Sequence, residues 1–286
     1  MSRGFTHPYL PNSAPKVKEE MLREIGVSDV DGLYADVPES IRLNRDLKVP
    51  GPMSEWEVYR FIRRVLSKNV NALEMPIFLG AGCWPHYVPS LVKEIVRRSE
   101  FLTSYTPYQP EVSQGMLQAL FEYQSLICEL TGMDVANASM YDWASALAEA
   151  ALMAVRVTRR RKIVVPRAIH PDRKFVLKTY TSPHGIEVVE VEYDRETGLL
   201  DLNSLEDAAS SEVAAVYVEN PSYFGLIEVN VEEVASIAHR AGALYIVGVD
   251  PISLGVLKAP GDYGADIVVG EGQPLGNPMN FGGPSL

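Results

Sequence analysis

Basic charge is in short supply: 26 Lys and Arg stand against 37 Asp and Glu in 286 residues, a formal charge of -11. Such a chain attracts no polyanion at long range, which argues against a nucleic-acid partner. Cys83 and Cys128 are the only two cysteines. They are too few for a disulfide framework and wrongly spaced for a zinc knuckle, so both read as reduced core thiols and no metal site is expected. No apolar run approaches the roughly 18 residues of a membrane span, and the opening Met1-Ser2-Arg3-Gly4-Phe5-Thr6-His7-Pro8 has no apolar targeting core. The expectation is a soluble, untargeted, cytoplasmic protein that makes no membrane contact. Also missing are a G-x-G-x-x-G after a strand, a P-loop, H-E-x-x-H and G-x-S-x-G. Standard dinucleotide, nucleoside triphosphate, zinc-protease and hydrolase readings lose their support with them.

What is present is ordinary globular material, 47% hydrophobic and 22% charged, enough to bury a large core. Residues 1–75 read as an N-terminal helical segment joined by Pro- and Asn-containing loops. Val17, Met21, Leu22 and Ile25 recur at helical spacing and stop at Gly26, a suitable left-handed terminator. Ser54-Glu55-Trp56-Glu57 matches a capping box, followed by an i, i+3, i+4, i+7, i+8 stripe of Val58, Phe61, Ile62, Val65 and Leu66. These read as packing helices. In Phe78-Leu79-Gly80-Ala81-Gly82 an apolar segment leads toward a helix opened by Pro89, and another helix is expected over 113–131 with Leu117, Leu120, Phe121, Ile127 and Leu130 inward.

Beyond residue 140 the texture alternates. Helices over 143–158, 171–181, 203–209 and 231–241 separate Val/Ile-rich strands at 163–166, 187–192, 214–219, 243–249 and 266–270. Alternation of this kind makes βαβ crossovers, hence an α/β fold with a mainly parallel sheet covered on both faces. Such sheets bind ligands at the carboxyl ends of their strands. Three polar residues fall there: His170 past the first strand, Asn220 past strand 214–219 and Asp250 at the end of strand 243–249. A pyridoxal phosphate site needs this chemistry: a carboxylate to keep the pyridine nitrogen protonated, an imidazole to stack on the ring, an amide for the phenolic oxygen. Ser139, Tyr141 and Ser145 surround the start of helix 143–158, where a helix N-terminus could take the phosphate. Each signal also has a plain reading, since Asp at a strand end, His before Pro171 and Asn220-Pro221 are all turn signals.

The group that such a cofactor requires is a lysine, and it is missing from the rim. The nine lysines are 16, 18, 48, 68, 93, 162, 174, 178 and 258, while strand 266–270 is followed by Glu271-Gly272-Gln273-Pro274-Leu275-Gly276. Lys258, eight residues after Asp250, reads as a solvated surface charge. Without that amine, covalent catalysis on this chain alone is not expected.

Residues 99–142 carry a resemblance. Ser99-Glu100-Phe101, Tyr105-Thr106-Pro107-Tyr108-Gln109-Pro110-Glu111, Ser113-Gln114-Gly115, Glu122-Tyr123-Gln124, Leu130-Thr131-Gly132-Met133 and Asn137-Ala138-Ser139-Met140-Tyr141-Asp142 together resemble the glycine decarboxylase P-protein. So do Leu10-Pro11-Asn12, Asp250-Pro251 and Gly264-Ala265-Asp266-Ile267-Val268-Val269-Gly270, and more specifically the likeness is to subunit 1 of the split, two-polypeptide form. The resemblance implies a fold type I pyridoxal phosphate transferase-like architecture, with 76–286 as an incomplete large domain. It also implies a role in the glycine cleavage system: glycine loses CO₂ and its aminomethyl group passes to the lipoyl arm of the H-protein. In the split form the Schiff-base lysine and the cofactor belong to the partner, P-protein subunit 2. Tyr105, Thr106, Tyr108, Gln109 and Glu111 are then candidates for reaching the partner's pocket, or else form a buried loop. Ser139, Tyr141, Ser145, His170, Asn220 and Asp250 become a degenerate cofactor rim. The alternative is a non-catalytic structural or regulatory remnant that binds the catalytic subunit.

Two departures from the family pattern stand out. Trp143 occupies the position of a glycine that would let backbone approach a phosphate, which argues against a phosphate bound to this chain. The family's subunit 1 also continues past Phe281-Gly282-Gly283-Pro284, so a C-terminal truncation is expected.

Overall fold

A computed structural model describes residues 6–71, 74–76, 78, 85–102 and 106–279. Cys83, Tyr105, most of Phe78–Gly82 and the tail from 280 lie outside them. Backbone contacts divide the chain into two units, Met1–Val70 and Asn71–Leu286.

In the first unit, α1 (Pro15–Ile25) begins with Pro at its first position and ends at Gly26, whose φ of 85° lets its N–H and that of Val27 return to Leu22 O. Helix α2 (Glu55–Leu66) carries the complete capping box: Ser54 Oγ accepts from Glu57 N, and Glu57 accepts from Ser54 N at 2.8 Å. Both helices form where the sequence places them. No described residue of this unit is buried.

The second unit begins with α3 (Ser90–Val96), α4 (Ser99–Leu102) and α5 (Pro110–Thr131). In α5, Leu117, Leu120, Ile127 and Leu130 are half-buried, but Phe121 points outward, 70% exposed, and corrects its expected inward place. Cys128 is half-buried and free, so it lines the edge of a core and is not within one. Next come α6 (Trp143–Thr158), β1 (Lys162–Pro166), α7 (Pro171–Thr181), β2 (Glu187–Val191), α8 (Leu202–Ala208) and β3 (Val213–Glu219). Then α9 (Val231–Arg240), β4 (Leu244–Val249) and β5 (Ile267–Gly270) complete the unit's regular elements.

The five strands form one sheet, all parallel, in the order β2-β1-β3-β4-β5. Strand alternation sends Ile163, Val165, Ala215, Tyr217 and Ile246 to one face, under Leu147 and Ala151 of α6 and Leu177 of α7. Val164, Val216, Val218, Tyr245 and Val247 go to the other, against Leu205 of α8 and Val234 and Ala238 of α9. Every residue of β3 is buried, as a central strand covered on both sides must be. Chain order reverses between β1 and β3, so the crevice at their carboxyl ends is where an open parallel sheet places a ligand.

Candidate functional site at the carboxyl rim of the sheet

The rim residues expected from sequence lie at the ends of three neighbouring strands, β1, β3 and β4. Each is engaged in local backbone work. His170 caps α7, its Nδ1 accepting from Asp172 N at 3.2 Å, and its ring meets Tyr223 edge-on at 5.3 Å. Asn220, which precedes Pro221 across a cis bond, exchanges bonds with Glu228: its Oδ1 accepts from Glu228 N at 3.2 Å and its Nδ2 donates to Glu228 O at 3.4 Å. Asp250 Oδ1 accepts from Ile252 N at 3.0 Å and starts the turn after β4. Ser139 and Tyr141 are exposed, Tyr141 at 86%, and Ser145 gives its backbone N–H to Asp142 Oδ1 at 2.7 Å.

A different group occupies the crevice. Trp143, 4% exposed, donates from Nε1 to the Tyr217 hydroxyl at 3.0 Å, and that hydroxyl donates to Glu219 Oε1 at 3.1 Å. Arg173 reaches the same Glu219 oxygen at 2.9 Å, and its guanidinium carbon lies 3.4 Å from the Trp143 ring centroid. Four buried side chains from α6, α7 and β3 thereby close a ring. Burial, reinforced by the charge of Glu219, raises the Tyr217 phenol well above its ordinary range against the opposing pull of Arg173 and Trp143. The proton stays on the phenol, and the guanidinium and the Tyr217 hydroxyl share Glu219 Oε1, while Glu219 Oε2 is buried without a hydrogen-bond partner. Gly248 on the adjacent strand makes room, since a Cβ there would come within contact distance of the Tyr217 hydroxyl and 2.8 Å from Trp143 Cζ2.

Tested against a pyridoxal phosphate, these residues do not fit. The indole is buried at the start of α6, packed on Arg173 and bonded to Tyr217. At the N-terminus of α6, Asp142 takes the Ser145 N–H and Glu271 Oε2 takes the Trp143 N–H at 3.4 Å, so carboxylates of the chain itself sit where a phosphate would. After β5 the buried polar positions among the described residues are Glu271 and Gln273, with no amine. The cavity beside Glu219, lined by Pro166, Ala168, Val218 and Glu228, is about 20 Å³, room for a water molecule and not for a cofactor. Lys162, Lys174, Lys178 and Lys258 are held by surface carboxylates, Lys258 by Glu232 at 2.8 Å. Among the described residues no group of His, Cys, Asp or Glu gathers to hold a metal ion, and no helix is long and apolar enough to cross a membrane.

The described part of the tyrosine-rich segment lies elsewhere. Thr106, Tyr108, Gln109 and Glu111 are exposed, Tyr108 at 78%, and Gln109 caps α5. The first turns of α5 border an open groove of about 480 Å³ lined by Glu100, Phe101, Val112, Ser113 and Glu122.

The profile of the glycine cleavage system P-protein matches residues 7–286. The chain belongs to the glycine cleavage system P-protein family. It is 57% identical over 276 residues to "Probable glycine dehydrogenase (decarboxylating) subunit 1" of Thermococcus kodakarensis, and 58% identical over 278 residues to the protein of the same name in Pyrococcus furiosus. Each alignment covers 96% of this chain but only 60% and 61% of those relatives, so the chain spans about three-fifths of their length. A crystal structure of glycine decarboxylase (P-protein), in inhibitor-bound form, superposes with a TM-score of 0.83 at 44% identity, covering 98% of this chain and 61% of that one. The P-protein match makes the architecture that of fold type I pyridoxal phosphate enzymes.

Sequence reasoning missed Arg173, Tyr217, Glu219 and Glu271. A signal was present in Tyr217 and Glu219, two polar residues on one face of an otherwise apolar strand, which cannot be buried there without partners.

Proposed function

We propose that this chain acts as the subunit 1 component of a glycine dehydrogenase (decarboxylating) in the glycine cleavage system. It would support a reaction in which glycine loses CO₂ and its aminomethyl group passes to the lipoyl arm of the H-protein. The observation that carries the reading is the identity above 55% to relatives named as subunit 1. The cofactor supplies the electron sink for decarboxylation and belongs, in this reading, to subunit 2; the buried Trp143–Tyr217–Glu219–Arg173 ring, which offers no open cradle among the described rim residues, supports that placement. The role of this chain is then to build the assembly and to present Tyr105, Thr106, Tyr108, Gln109 and Glu111 to the partner's pocket. A cytoplasmic location goes with that system.

The test is exchange of the glycine carboxyl carbon with bicarbonate in a mixture of this chain, subunit 2 of the same organism and lipoylated H-protein. Exchange that needs this chain supports the proposal. Equal exchange without it leaves the remnant reading, a structural or regulatory binder. Borohydride reduction in the presence of pyridoxal phosphate should fix label on a lysine of subunit 2; stoichiometric label on one lysine of this chain would overturn the cofactor's placement.

A further inference from the structure

Two buried carboxylates line the small cavity at the carboxyl ends of β1 and β3, Glu219 at 2% exposure and Glu228 at 4%. A carboxylate taken out of water needs compensation, and these two receive it unequally. Glu219 meets Arg173 at 2.9 Å, but the guanidinium and the Tyr217 hydroxyl both use Oε1, and Oε2 is buried with no hydrogen-bond partner. Glu228 pairs with no cation among the described residues. Its Oε2 accepts from Leu200 N at 2.9 Å and its Oε1 from Asn230 N at 3.0 Å. Both oxygens act as acceptors, which is the bonding of an ionised carboxylate. Two negative charges and one positive charge therefore surround the cavity. The site is one positive charge short.

The cavity, about 20 Å³, has room for one particle of a water molecule's size. A neutral water would fill that volume and leave the charge unbalanced. We propose that the cavity binds a single monovalent cation of that size, potassium or ammonium, between Glu219 Oε2 and the Glu228 carboxylate. A divalent ion is excluded by the donor count: Ca²⁺ and Mg²⁺ take about six to eight oxygens, and no three His, Cys, Asp or Glu side chains gather among the described residues. Glu219 ends β3 and Glu228 lies in the loop that follows it, so the ion fastens that loop to the strand and orders the rim. The site is built from this chain's own residues and stands apart from the reading of the chain as subunit 1.

Thermal unfolding of the full chain in the chlorides of potassium, ammonium and tetramethylammonium at one ionic strength tests it, with anomalous scattering from crystals soaked in thallous acetate, whose cation substitutes for potassium. Potassium should raise the melting temperature by roughly 3–6 °C over tetramethylammonium and do so saturably. Thallium should give a peak in the cavity between Glu219 and Glu228. Glu228→Gln, which removes the surplus charge, should abolish the potassium effect, whereas Glu187→Gln, at a surface ion pair, should keep it. Equal melting in all three salts without a thallium peak overturns the proposal and leaves a water in the cavity. A saturable potassium effect that survives in Glu228→Gln places the ion elsewhere and overturns it too. If Glu228→Gln does not fold, the salt series and the thallium peak on the parent chain decide. A lysine or arginine of another polypeptide seated in the cavity would overturn the proposal as well.

Discussion

Arg173 lies flat against Trp143, its guanidinium carbon 3.4 Å from the ring centroid, while its other contact is the carboxylate of Glu219 at 2.9 Å. Cation, indole and carboxylate are all buried, so each is held by the others. Removing one partner strands a charge. Arg173→Leu is expected to cost about 3–5 kcal/mol in urea unfolding, and adding Glu219→Gln should recover part of it, because the uncompensated charge then disappears. A loss below about 1 kcal/mol would mean that the pair contributes little beyond its volume.

Trp143 is buried at the start of α6, bonded to Tyr217 and packed on Arg173. Trp143→Ala should destabilise the chain by about 3–5 kcal/mol, the usual cost of emptying a large aromatic site. It should not create a pyridoxal phosphate enzyme, because Asp142 and Glu271 still cap α6 and no lysine stands among the described residues 271–279. Spectroscopic titration of the variant with the cofactor, read for a lysine adduct, checks this.

The periodicity of the sequence carried most of the sheet-containing unit. Strands at 163–166 and 214–219 and the helix at 143–158 fall within a residue of β1, β3 and α6, because dense Val/Ile runs and a polar cap are local signals. The rim was legible as a place and not as a structure. His170, Asn220 and Asp250 do stand at strand ends, but the bonds they make are the cap and turn bonds that short-range chemistry already offers them. The Arg173–Glu219 pair spans 46 residues and depends on strand order, which no local pattern reveals. The N-terminal stripes show the opposite case: the helices were legible and what covers them was not, because a one-sided helix states that it must be covered and not by what.

Gly248 is expected to reject any side chain. Gly248→Ala puts a methyl group against the Tyr217 hydroxyl and Trp143, with neither able to retreat into packed strands, so a loss of about 1–3 kcal/mol is expected in thermal or urea unfolding. A neutral effect would show that the Trp143–Tyr217 bond can loosen without cost to the fold.

Tyr108 sits between Pro107 and Pro110 in a segment of restricted backbone, exposed and next to the N-cap of α5. A stiff aromatic group loses little entropy on docking. Tyr108→Ala should therefore lower exchange activity in the complex with subunit 2 and leave the melting of this chain unchanged. Full activity in the variant would remove Tyr108 from the working site, and a lowered melting point would make it a structural element.

Three buried phenols give the chain an alkaline limit. Burial raises Tyr217 and Tyr245 well above the ordinary 10.0 and pushes Tyr263 up to about 12. In the unfolded chain all three lose their protons near pH 10, whereas in the folded chain they keep them to higher pH. The folded state thus binds more protons in that interval, and stability falls as pH rises. Their contribution is whole below about pH 10 and drains away as pH climbs through the folded values, about 12 for Tyr263. Absorbance titration of the folded chain should show these phenols ionising only together with unfolding. Tyr217→Phe should lessen the slope of stability against pH above 10, while also lowering stability at neutral pH, because it removes both the acceptor of the Trp143 bond and the donor to Glu219. A slope equal to that of the parent chain would show that the Tyr217 phenol ionises freely in the fold, and would contradict its place inside the closed ring.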